Sequence, residues 1–272
     1  MDYERLFSIA VLLLYSLGAF GILMGALSMR PSLRKAAGRL TLAGFALHSV
    51  SLLYAFITVG HEAFSAGRNI QFLAWCVIVL YLAAGRRLRY PFLGLTAAPL
   101  ALLLYILSMR LAGVKNILPE HFSGLFFGLH IWSLYLSFGL LAMAFGAGLL
   151  FIYTDGRIKK KKSPARFTLD MPSLDGCDRI NRVAVTAGFP LFTLGLMAGF
   201  VWAPVISAAA ENPKVLLSLF IWCLYALLFY RRVALGYRGR KTAVMAIAIF
   251  AVSVLSLLTD HLFSHHSTGL MS

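Results

Sequence analysis

The chemistry this chain offers is concentrated in its seven histidines. Three of them fall within six residues of "DHLFSHHSTG", residues 260 to 269: His261 and His265 are four apart and share a helical face, whereas His266 points about 100° away. His130 lies in "GLHIWSLYL", His48 in "FALHSVSLLY", and His61 and His121 sit beside Glu62 and Glu120. A neutral imidazole is a ligand for borderline metals, haem iron included. An iron held by two imidazoles needs them on facing elements, so the natural pairing takes His130 from one helix and either the His261/His265 pair or His266 from another.

The elements that carry these residues are membrane spans. The chain has 272 residues, 60% of them apolar, and a mean hydropathy of +0.82, too apolar for a water-soluble globule of this size. Apolar runs near the ~20 residues needed to cross a bilayer occur at roughly 6–29, 38–60, 70–85, 91–109, 124–153, 183–209, 215–235 and 242–263. The expected fold is an all-α membrane protein: a single domain over 1–272, a bundle of about eight transmembrane helices. The first run lacks a basic leader and a small-residue cleavage site, so it is expected to be a retained span rather than a signal peptide.

Net charge is +15, and its distribution sets the topology. Of 25 Lys and Arg, 20 lie in the odd-numbered loops, at 30–39, 86–89, 157–182 and 231–241. Only Arg5, Arg68, Arg110, Lys115 and Lys214 lie elsewhere. Basic loops mark the cytoplasmic side, so both termini are expected on the non-cytoplasmic face. The stretch 154–182 becomes a basic cytoplasmic loop. Its run "RIKKKKSPAR" lacks the interleaved aromatics of a nucleic-acid patch and fits anionic lipid headgroups, with no nucleic acid as partner.

On this topology His48 falls near mid-membrane and the other six histidines at or near the non-cytoplasmic face. An imidazole at that depth is costly and is a functional group by default, although Ser49 and Ser51 beside it also suit one satisfied by a neighbouring helix. His61 and His121 read as solvated loop residues. Trp132 and Trp202 lie toward the outer face, where they serve either as interfacial belt residues or as walls for a planar apolar cofactor. Cys76, Cys177 and Cys223 form no C-x-x-C, and phosphate-loop, dinucleotide and H-E-x-x-H motifs are absent. No soluble catalytic domain is present, so no catalytic residue is assigned.

Read in order, these segments resemble the haem-handling membrane proteins of cytochrome c assembly, the CcsA, CcmC and HemX-like family. The specific stretch is 172–203, "PSLDGCDRINRVAVTAGFPLFTLGLMAGFVWA", which is similar to the family's Pro-Ser-Leu, Asp, and Gly-Phe-Pro-Leu-x-Thr-x-Gly-x-x-x-Gly-x-x-Trp-Ala. "NPK" at 212–214, Trp222 and "YRRVALGYRGRKTA" continue the likeness, and "LHSVSLLY", "GH" and "QFLAW" fit its opening spans. The resemblance implies that His130 and His266, the latter followed by Ser267, are the axial ligands of a haem b at the outer face of a bacterial cytoplasmic membrane. It also implies cytochrome c assembly subunits as partners. Trp132, Trp202, His48 and His261 are further candidates for cofactor contact, and Arg68, Arg110 or Lys115 for the propionates. The family's tryptophan-rich external segment is replaced here by "PVISAAAENPK", with Asn212 for the aspartate, and Tyr230 stands where some members carry a histidine. That replacement keeps open a HemX-like scaffold or regulator of haem biosynthesis. A metal transporter is disfavoured, because the spans hold few carboxylates.

Overall fold

The computed structural model describes residues 3–28, 30–59, 66–88, 91–110, 125–160, 173–202 and 213–268; near segment ends, and beyond Ser256, the backbone alone is described. Eight α-helices run through these residues: α1 (Tyr3–Leu27), α2 (Pro31–Val59), α3 (Ala66–Leu88), α4 (Gly94–Arg110), α5 (Leu125–Lys159), α6 (Leu174–Trp202), α7 (Pro213–Val233) and α8 (Arg240–Thr268). No strand occurs among the described residues. By length and composition α1, α2, α3, α5, α6 and α7 can each cross a membrane, and α4 is a shorter apolar helix of 17 residues. The chain is a multi-pass, all-helical membrane protein.

Helix number and order agree with the apolar runs, while several edges move outward. α5 continues to Lys159, where Lys159 Nζ pairs with Asp155 at 2.9 Å one turn back. α6 starts at Leu174, nine residues before its apolar run, because Ser173 Oγ caps it by accepting the Gly176 N–H at 3.0 Å. Helix thus enters both ends of the basic stretch 154–182.

The chain divides into two compact units, Met1–Pro119 with Tyr153–Gly176, and Glu120–Ile152 with Cys177–Ser272. In the first, α1 and α2 cross closely because glycines line the contact. A Cβ on Gly21 would lie 2.8 Å from Ala37 Cβ, and one on Gly25 would lie 2.9 Å from the Arg34 backbone nitrogen. Where lipid removes the hydrophobic drive between helices, such backbone approach supplies the packing. In the second unit α5 is joined to α6 by hydrogen bonds and to α8 by Gly148, whose missing side chain leaves room for the Ala243 carbonyl. Phe145 and Phe250 close the α5/α8 contact with ring centroids 4.7 Å apart.

Candidate functional site

His130 sits one and a half turns into α5, half-buried, and its Nδ1 lies 2.7 Å from the Gly195 carbonyl oxygen on α6. A carbonyl only accepts, so Nδ1 carries the proton and the ring's lone pair lies on Nε2. That is the tautomer in which a ligating histidine is held when its other nitrogen is tied to the protein. Gly199, one turn further along α6, makes room for the ring: a Cβ there would lie 2.6 Å from His130 Nδ1 and 2.8 Å from its Cε1.

The bond at His130 is the first of a series. Ser137 Oγ donates to the Gly188 carbonyl at 2.8 Å, and Asn181 Nδ2 donates to the Ala144 carbonyl at 3.0 Å. Positions 130, 137 and 144 on α5 meet 195, 188 and 181 on α6, so all three bonds obey one antiparallel register with a seven-residue step. Each step is two turns, about 10 Å. Every acceptor belongs to glycine or alanine, since a short polar side chain reaches the facing backbone only where that backbone carries almost no side chain. The glycines of 188–199 therefore set the depth at which His130 stands.

α7 and the start of α8 are tied to the same helix. Trp222 Nε1 donates to Thr193 Oγ1 at 3.0 Å, and Phe189 packs on Trp222, Tyr225 and Phe229. At the opposite end of α6 from His130, Arg232 is fully buried. It donates to Asp178 Oδ2 at 2.9 Å and to Asn181 Oδ1, while Asp178 Oδ1 accepts the Gly239 N–H at 2.9 Å. A buried arginine persists only when paired in this way. Among the residues that carried the family likeness, Asp178 meets Arg232 and Gly239, Thr193 meets Trp222, and Gly188, Gly195 and Gly199 stand against Ser137, Tyr225 and His130.

In the first unit His48 lies on α2 at 1% exposure. Its Nδ1 is 3.0 Å from the Tyr15 hydroxyl of α1, and the rings of Tyr15 and Tyr105 meet it edge-on at 5.8 and 5.0 Å. Its Nε2 is buried with no hydrogen-bond partner among the described residues. Trp75 of α3 stacks on Phe45 and donates to Ser49 Oγ at 2.8 Å, the residue next to His48.

Of the other expected site residues, Trp132 is exposed on α5 and Tyr230 is exposed on α7. The backbones of Trp202, His261, His265 and His266 lie in the last turns of α6 and α8, and their side chains are outside the described residues. So are His61, His121, Lys115 and the stretch 203–212 that replaces the tryptophan-rich segment. Tyr15, Tyr105, Ser137 and Asn181 are functional-site neighbours that residue type alone does not single out. For Ser137 and Asn181 a signal existed, the seven-residue echo between His130, Ser137 and Ala144 on one helix and the small residues of α6. The phenols had none, being two tyrosines among eleven.

The chain is similar in sequence to known proteins. A family model described as "Cytochrome C assembly protein" matches residues 65–266, from the start of α3 to His266. The chain is 28% identical over 238 residues to the cytochrome c biogenesis protein CcsA of Prochlorococcus marinus (strain NATL2A), covering 74% of each. It is 26% identical over 213 residues to the CcsA of Chlamydomonas reinhardtii, covering 74% of this chain and 59% of that one. With the CcsA of a Synechocystis strain it shares 35% identity over 111 residues, 39% of this chain and 32% of the relative.

Proposed function

As the chain belongs to the cytochrome c assembly protein family, we propose that it binds haem b in cytochrome c biogenesis, with His130 and His266 as axial ligands at the non-cytoplasmic face of a bacterial cytoplasmic membrane. The observation that carries this reading is the His130 Nδ1 bond to the Gly195 carbonyl, which fixes the tautomer with its lone pair on Nε2. The donor set fits the group: a neutral imidazole whose second nitrogen is anchored, in a slot that Gly199 keeps open. When bound, haem supplies the iron redox centre and the vinyl groups that become attached to an apocytochrome. This chain's residues orient and present it. Trp132 and Trp202 serve as apolar contacts for the macrocycle, with His261 near the second ligand. The attachment chemistry belongs to partner assembly subunits, and the run at 157–166 contacts anionic lipid. For His48, enclosure between Tyr15 and Tyr105 supports a tie within the first unit rather than an axial ligand.

The test is a reduced-minus-oxidised absorbance spectrum of the protein purified in detergent with haem in full supply. A six-coordinate signal lost in both His130→Ala and His266→Ala, and kept in His48→Ala, is expected. A colourless wild-type protein would overturn the assignment. It would favour the second reading, a HemX-like scaffold of haem biosynthesis, whose support is the absence of tryptophan from 204–214.

A further inference from the structure

The turn between α7 and α8 is built more rigidly than a connection requires. It spans Ala234–Gly239, with Tyr237 N–H donating to the Arg231 carbonyl at 2.9 Å and Ala234 N–H to the Tyr230 carbonyl at 2.9 Å. Gly236 and Gly239 hold φ of 65° and 83°, a conformation that side chains disfavour. Asp178 pins the turn to α6 through the Gly239 N–H. The segment itself carries Arg231, Arg238, Arg240 and Lys241, and α6 carries Arg179 and Arg182 in the turns around the Asp178 that holds Gly239. Both oxygens of Asp178 are engaged, by Arg232 and by Gly239. Asp175, one turn earlier on α6, is the other acid of that segment, and residues 213–259 contain none. Lys and Arg thus outnumber Asp and Glu along this stretch of sequence, and the Asp178 carboxylate is taken by Arg232 and the turn itself.

Beside these cations the surface is apolar. Leu235 and Tyr237 are 47% and 46% exposed, Tyr230 and Val233 are exposed as well, and the Arg231 guanidinium lies 6.0 Å from the centre of the Tyr237 ring. Phenols and arginines at the end of a span suit the layer where acyl chains meet headgroups. We propose that this turn, with Arg179 of α6, is a binding site for the phosphate headgroup of an anionic phospholipid. Arg238, Arg240 and Lys241 meet the phosphate, and Leu235 and Tyr237 meet the acyl chains. A free phosphate ion would leave those apolar groups unused, which commits the site to lipid.

The test is native mass spectrometry of the full chain in detergent, titrated with phosphatidylglycerol against phosphatidylcholine. The wild type is expected to retain phosphatidylglycerol selectively, and Arg238→Gln/Arg240→Gln/Lys241→Gln to lose on the order of 100-fold in that preference, about fivefold per cation. Both proteins are read in a background with Lys159, Lys160, Lys161 and Lys162 replaced by Gln, which removes lipid held by the run at 157–166, and excess inorganic phosphate is expected not to displace the retained lipid. An unchanged preference in the triple variant overturns the site, as does displacement of the lipid by phosphate. Should the triple variant fail to fold, Arg238→Gln alone, exposed and outside the Asp178–Arg232 pair, must still lower the preference about fivefold; no change in it overturns the proposal.

Discussion

Replacing Gly199 by alanine tests whether α6 positions the proposed ligand. The added Cβ would stand 2.6 Å from His130 Nδ1 and 2.8 Å from Cε1. Carbon prefers a neighbour at about 3.5 Å or more, so the ring must retreat by about 0.9 Å. The retreat carries Nδ1 from 2.7 Å toward the ~3.5 Å at which a hydrogen bond is lost. One such bond contributes about 1 kcal/mol, and forcing a methyl into a packed contact costs about 1–3 kcal/mol. Loss of the group that orients a metal ligand weakens binding by about 10–100-fold. Gly199→Ala is therefore expected to lower haem affinity within that range, read by Soret titration of the apoprotein in detergent. Gly128→Ala is the matched control: it lies on the same α5 as His130, and its Cβ would meet nothing within 4 Å. It should leave affinity unchanged and raise stability by about 0.5 kcal/mol. A Gly199→Ala protein that titrates like wild type, or a Gly128→Ala protein that loses haem equally, would refute the positioning role of α6.

Two further outcomes follow from the polar ties of the second unit. A Cβ on Gly188 would run into the Tyr225 hydroxyl, so Gly188→Ala is expected to destabilise by about 1–3 kcal/mol; Tyr225→Phe should recover part of it, seen as non-additivity in a double-mutant cycle of thermal unfolding. Arg232→Met strips Asp178 and Asn181 of their buried partner, with an expected cost of about 3–5 kcal/mol; a melting temperature within a degree or two of wild type would contradict the reading of that pair as structural.

Much of this architecture is legible before any folding. Spans announce themselves because lipid demands long apolar runs, and eight runs matched eight helices in order. Their edges were less legible. The first turns of α6 look like loop in hydropathy, yet they are helical because Ser173 caps them and Asp178 and Asn181 find partners on α7, α5 and the turn before α8. His130 stood out by residue type and by its likeness to a family ligand. Its anchor did not, since a backbone carbonyl 65 residues away has no signature of its own.

Composition, apolar spacing and the distribution of charge were enough for the class of the molecule, its helix count and the short list of histidines. These are one-dimensional properties, set by how each residue type partitions between water and lipid. The choices among those residues needed three dimensions. That His48 is enclosed by two phenols, that His130 carries its proton on Nδ1, and that Arg232 is a buried tie rather than one more basic-loop charge depend on which side chains meet across helices. The physical reason is that hydrogen bonds act over about 3 Å, and only the register of packed helices brings residues so far apart in sequence that close.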